Sequence, residues 1–103
     1  MKYINKKLTI ENVKVQNIAK KFGTPAYCYS YNQLKKNINN FKKSFKSFSP
    51  LICFAIKSNT NVNLISEIRK LGLGADVVSM GELMKALKAG IKPNKIVFSG
   101  VGK

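Results

Sequence analysis

Leu51-Ile52-Cys53-Phe54-Ala55-Ile56-Lys57-Ser58-Asn59-Thr60-Asn61 decides how this chain is read. An apolar run between Pro50 and a polar Ser/Asn/Thr cluster predicts a buried parallel strand over residues 51–56 with Lys57 at its C-terminal end. In barrels of alternating strands and helices, those strand ends carry the side chains that do chemistry. A lysine held there against apolar neighbours loses its proton more readily than one in water, and a neutral amine forms a Schiff base with an aldehyde. The plainer alternative is a lysine that ends a strand and extends to solvent.

The next apolar segment sharpens the choice. Gly74-Ala75-Asp76-Val77-Val78-Ser79 predicts a second strand with a carboxylate inside it, and a carboxylate in such a place needs a partner. Between the two strands, Val62, Leu64, Ile65, Ile68 and Leu71 have the spacing of an amphipathic helix closed by Gly72. Ser79 and Glu82 have the capping-box spacing for a helix running to Ala89, with Gly90 as its stop. A turn around Pro93 then leads to a strand at Ile96-Val97-Phe98.

Upstream, Leu8-Thr9-Ile10 predicts an edge strand or arm, and Val15, Ile18, Ala19 and Phe22 a short helix closed by Gly23. Thr24-Pro25 breaks the chain before a strand expected over residues 26–29. Ser30 and Gln33 form another capping-box pair, opening a helix over residues 31–48 with Leu34, Ile38, Phe41, Phe45 and Phe48 on one face. Strands alternating with helices imply an α/β fold with a parallel sheet and right-handed crossovers.

In order and spacing, the Phe54-Ala55-Ile56-Lys57-Ser58-Asn59 strand end, Gly74-Ala75-Asp76-Val77-Val78-Ser79 and Gly81-Glu82-Leu83 resemble the pyridoxal-phosphate-dependent decarboxylases of the alanine-racemase fold type. Within that family, Phe22-Gly23-Thr24-Pro25-Ala26-Tyr27 and Lys95-Ile96-Val97-Phe98-Ser99-Gly100-Val101-Gly102-Lys103 most resemble the diaminopimelate decarboxylase branch; ornithine, arginine and carboxynorspermidine decarboxylases share the fold. The resemblance implies the N-terminal part of a pyridoxal-phosphate-binding TIM (β/α)8 barrel, incomplete here. Residues 1–25 would form an arm and short helix, and residues 26–103 the first βα units. It implies pyridoxal 5′-phosphate as cofactor, tethered to Lys57. Ala55 would leave room for the flat ring, while Phe54 and Ile56 face the surrounding helices. Asp76 would hold the lysine's ammonium once substrate displaces it; the alternative for Asp76 is a carboxylate satisfied by backbone amides. Glu82 is explained by its capping position, and Asn59 lies behind these residues. The resemblance further implies an amino-acid substrate, decarboxylation, and a homodimer of the full-length protein.

Length and composition bound these readings. An eight-stranded barrel takes about 250 residues, so 103 residues are expected to be a piece of a longer protein, inactive by itself. The family's ring-stacking histidine, glycine-rich phosphate loop and second, β-rich domain are all missing from this sequence. Nineteen basic residues against four acidic ones give a net charge of +15, which taken alone suggests a basic nucleic-acid-binding module. The lysines are scattered over every predicted helix and Arg69 is the one arginine, whereas base readers rely on arginine forks. An AT-rich coding bias explains the lysine, asparagine and isoleucine content without a specific nucleic-acid partner. Gly100-Val101-Gly102-Lys103 is not a phosphate-binding P-loop, because Val97 stands where that motif needs glycine. Cys28 and Cys53 have neither a disulfide framework nor metal-ligand spacing, and no run approaches a membrane span of about 18 apolar residues. A cytoplasmic location is expected.

Overall fold

The computed structural model describes residues 1–45 and 47–101. It divides into two compact units, Met1–Ser44 and Phe45–Lys103. The motif end at Gly102-Lys103 lies outside the described residues.

The first unit opens with an antiparallel sheet in the order β1 (Lys2–Ile4), β2 (Lys7–Ile10), β3 (Val13–Lys14). The sequence reading expected only an edge strand or arm here. Asn5 and Lys6 instead both take positive φ, 49° and 60°, as a two-residue hairpin turn requires, so β2 becomes a central strand with Leu8 opposite Tyr3. Helix α1 spans Val15–Phe22 and stops as expected at Gly23, whose φ of 80° lets its N–H reach Ala19 O at 2.8 Å.

Two expectations fail in this unit. Residues 26–29 form no strand: a strand needs a ladder, and the segment has no ladder partner among the described residues, leaving Tyr27 93% exposed. Helix α2 covers Tyr31–Lys43 and does not continue to residue 48. Ser44 ends it, its hydroxyl donating back to Asn40 O while its N–H tightens onto Phe41 O, a local alternative to continued helix. At the other end Ser30 Oγ accepts from Gln33 N at 3.1 Å as the capping pattern predicts, but Gln33 does not reciprocate; its amide turns to Asn37 Oδ1. Glu11 joins the cap by a different route, its Oε1 accepting from Asn32 N and Ser30 Oγ, both at 2.7 Å. These hydrogen bonds to the charged form hold the Glu11 carboxyl below its usual range.

The second unit is a parallel sheet in the order β4 (Cys53–Ala55), β5 (Gly74–Val77), β6 (Ile96–Phe98), connected through α3 (Val62–Lys70) and α4 (Met80–Lys88). Alternation across the pleat sorts its side chains. Phe54 pairs with Ala75, Ala75 with Ile96 and Val77 with Phe98, and all of them pack with fully buried Ile56, Ile65 and Ala86 in one apolar core. Cys53, Ala55, Gly74, Asp76 and Val97 occupy the opposite parity. Both helices end in the same device. After α3, Gly72 (φ 86°) is followed by Leu73, whose N–H returns to Ile68 O; after α4, Gly90 (φ 83°) is followed by Ile91, whose N–H returns to Ala86 O. Leu73 and Ile91 are buried, as the residue after such a glycine commonly is.

The lysine strand is shorter than expected. The ladder covers Cys53–Ala55, and Ile56–Ser58 curls into a 3-10 turn. Two hydrogen bonds close that turn: Ser58 Oγ donates to Ala55 O at 2.7 Å and Asn59 N to Ile56 O at 3.0 Å. Strand and turn nonetheless keep Phe54 and Ile56 on the core side.

Close packing of the sheet predicts a contrast between two glycines. A Cβ on Gly74 would collide with the Lys95 carbonyl oxygen, whereas one on Gly81 meets nothing nearer than Ser79 Oγ at 3.9 Å. Gly74→Ala should destabilise the chain by on the order of 3 kcal/mol, and helical Gly81→Ala should stabilise it by about 0.5–1 kcal/mol, as read by urea denaturation. For Glu11, a depressed carboxyl pKa means a contribution to stability that is present above the unfolded value and lost as pH falls through the folded one. The Asn32 amide resonance should therefore titrate below the ordinary glutamate range, and in Glu11→Gln that titration should vanish.

Candidate functional site

The C-terminal ends of β4, β5 and β6 carry an amine, a carboxylate and a hydroxyl, and the carboxylate and the hydroxyl are hydrogen-bonded to each other. Lys57 lies in the 3-10 turn directly after β4, with an exposed side chain. Its neighbour Ile56 is buried on the core side as alternation implied, while Lys57 itself is exposed and not enclosed by apolar side chains as the sequence reading expected. Ala55 is half-buried and opposite Asp76 in the parallel ladder.

Asp76 is half-buried, and its partner is a side chain, not the backbone amides that the simpler reading offered. Ser99 Oγ donates to Asp76 Oδ1 at 2.6 Å. Ser99 is held at that distance because the ladder runs one step past β6, with Ser99 N donating to Val77 O at 2.9 Å. Sequence reasoning did not assign Ser99 a role. Its signal was parity: with Val97 opposite Asp76, the residue two further on shares the Asp76 face.

Cys53 reports on the same face. Burial pushes its thiol pKa up, and the Asp76 carboxylate adds to the rise by disfavouring a second negative charge. Small residues, Cys53, Ala55 and Gly74, make up much of this face beside Asp76.

The remaining polar residues near Lys57 are engaged locally. Asn59 Oδ1 accepts from Asn61 N at 3.0 Å, and Asn61 Oδ1 caps α3 through Asn63 N at 2.9 Å. Glu82 accepts from Val78 N at 2.9 Å while its own N–H donates to Ser79 Oγ, so its carboxylate serves the start of α4. Among the described residues no group of His, Cys, Asp and Glu has the arrangement of a metal site. A cavity of about 470 Å³ in the first unit, lined by Ile10, Ile18, Phe22 and tyrosines, offers no amine. The C-terminal strand ends of the second unit carry the amine and the carboxylate of the two sequence motifs, with Ser99 on the carboxylate.

Comparison with known proteins gives the family. Residues 31–103 match the family model described as pyridoxal-dependent decarboxylase, pyridoxal binding domain. The chain belongs to the pyridoxal-dependent decarboxylases. Its family cofactor is pyridoxal phosphate, and the second unit lies within the matched part of the pyridoxal-binding domain. The chain is 52% identical over 82 residues to a diaminopimelate decarboxylase of Helicobacter pylori, covering 80% of this chain and 20% of that one. It is 46% identical over its whole length to the diaminopimelate decarboxylase of Aquifex aeolicus, covering 24% of that protein. A crystal structure of the Helicobacter pylori enzyme complexed with L-lysine superposes with a TM-score of 0.80 at 46% identity, over 87% of this chain and 23% of that one. The chain thus spans about a quarter of the length of these relatives, and its fold is that of the N-terminal region of such enzymes: α/β, with consecutive strand-helix units of an incomplete barrel.

The two cysteines should separate in reactivity. Cys28 is exposed, and Cys53 is half-buried with a raised pKa. A thiol with less thiolate is alkylated more slowly, so iodoacetamide followed by peptide mass analysis should label Cys28 first. Asp76→Asn removes the neighbouring charge and should speed labelling of Cys53. An unchanged rate would separate Asp76 from this face.

Proposed function

We propose that this chain is the N-terminal part of a pyridoxal-phosphate-dependent diaminopimelate decarboxylase, which converts meso-diaminopimelate to L-lysine and CO2. The observation that carries the proposal is an amine just past the C-terminal end of a parallel strand whose last ladder residue, Ala55, lies opposite the carboxylate Asp76, within a match to the pyridoxal-binding domain. The names of the relatives supply the substrate, and the L-lysine held by one of them is the product of that reaction.

The residues fit the cofactor. Lys57 supplies the amine that its aldehyde needs, Ala55 leaves space for a flat ring, and Asp76 supplies a negative charge beside that space. When bound, pyridoxal phosphate accepts the electron pair left as CO2 departs. The chain's own contribution is positional and electrostatic. Lys57 would hold the cofactor through Nζ and, once substrate has freed it, would carry a proton there as ammonium. Asp76 balances that ammonium, and Ser99, by donating to Oδ1, fixes the carboxylate's orientation and leaves Oδ2 for the amine. Ser58 holds the turn that carries Lys57 through its bond to Ala55 O.

In this reading residues 1–25 are an arm and short helix, residues 26–103 provide the first βα units of the barrel, and the complete protein is a cytoplasmic homodimer. Both cysteines are free, as a reducing compartment requires, and among the described residues no helix is long and apolar enough to cross a membrane.

Treating the complete protein with pyridoxal phosphate and borohydride should place the reduced adduct on the peptide containing Lys57. Lys57→Ala should lose the adduct and lower decarboxylation by at least about a thousandfold, with circular dichroism unchanged. A label on another lysine would overturn the assignment.

A further inference from the structure

At the opposite, N-terminal ends of β5 and β6 lies a second site with different chemistry. Arg69, Lys92 and Lys95 surround a recess of about 160 Å³ that is floored by the buried side chains Leu73 and Ile91. Local structure puts them there. Arg69 stands in the last turn of α3, Leu73 and Ile91 follow the glycines that stop α3 and α4, and Lys92 precedes while Lys95 ends the 3-10 turn Pro93–Lys95 before β6. Gly90 also lines the recess, and a Cβ there would stand only 3.3 Å from Arg69 Nε and 3.4 Å from its Cδ. The arginine is therefore laid along a glycine surface, in one place, without a side chain to push it aside.

The charges of this recess do not balance from within. Helices α3 and α4 both end here, and each C-terminus presents about half a negative charge, together about −1 against three cations. None of the chain's four carboxylates fills the gap. Glu11 is bound to Ser30 and Asn32, Glu67 pairs with Lys70 at 2.7 Å, Asp76 holds Ser99, and Glu82 caps the start of α4. A remainder of about +2, a guanidinium fork and a volume that admits one tetrahedral oxyanion but no nucleotide describe a receptor for a phosphate group.

We infer that Arg69, Lys92 and Lys95 form a binding site for a phosphate dianion, free or as the head of a small phosphomonoester. The site is separate from Lys57, since β5 and β6 run between the two ends and strands of this length span roughly 10 Å. It depends on the fold of the second unit and not on the proposed decarboxylation.

The test is calorimetric titration of the chain with inorganic phosphate and, in a parallel series, glycerol phosphate, at constant ionic strength set with chloride. Saturable binding is expected, weakened about tenfold or more by Arg69→Gln and by Lys95→Gln. Retained binding is expected in Lys57→Ala, and also in Lys35→Gln/Lys36→Gln, which lowers net charge equally or more on α2. Preference for inorganic phosphate over glycerol phosphate identifies a closed site for the free ion, and equal affinity identifies a site for the head group. Should Arg69→Gln fail to fold by circular dichroism, Lys92→Gln, at an exposed position, provides the same comparison. Absence of saturable binding, or equal weakening in the Lys35/Lys36 control, would overturn the inference.

Discussion

The packing of one face of β4-β5-β6 against α3 and α4 is the constraint on which the rest of the second unit depends. Ile56, Ile65, Ala75, Val77 and Ala86 are fully buried in a single apolar core, and each fixes the parity of its own element. Burying a branched aliphatic side chain of this kind is worth about 1.5–3 kcal/mol, far more than any one polar contact at the strand ends. Moving the register by one residue would put Asp76 into that core and expose Ala75 and Val77. The core therefore determines that Cys53, Ala55, Asp76 and Val97 look the other way, where Lys57 and Ser99 follow.

Such an arrangement explains why weak interactions suffice at the site. The Ser99–Asp76 hydrogen bond and the Ser58–Ala55 bond act between backbone positions already held by the ladder, so they only select side-chain orientation. The same logic holds at the other end of the strands, where the glycine stops of α3 and α4 place Leu73 and Ile91 side by side and bring three cations around them. A strongly basic chain becomes locally specific where cations converge without an acid of the chain nearby; elsewhere its lysines are largely solvated.

Much of the second unit was legible in the sequence because its signals are local. The apolar runs at 51–56, 75–78 and 96–98, the helical spacing at 62–71, the stops at Gly72 and Gly90 and the Ser79 cap each depend on near neighbours, and each corresponds to an element of the fold. What could not be read depends on distant partners. The 26–29 segment has strand composition, yet without a ladder partner among the described residues it forms no strand. Gln33 does not complete its capping box, and Glu11, brought in from the turn between β2 and β3, joins the cap by a different route. The apolar run ending in Ile56 gave no sign that Ser58 would curl its end into a turn. Around the candidate site the amine and carboxylate were visible in their motifs, but the hydroxyl was not: Ser99 acquires its meaning only through the β5–β6 register.

The account stands on Lys57 as the covalent anchor of a pyridoxal group on the face opposite the helices. Diffraction from crystals of the complete protein grown with pyridoxal phosphate tests this most directly. The account predicts continuous density from Lys57 Nζ to the cofactor's former aldehyde carbon, with the ring over Ala55 and the Asp76 carboxylate beside it. Density joining the cofactor to a different lysine, or a ring lodged away from the C-terminal ends of β4 and β5, would contradict it.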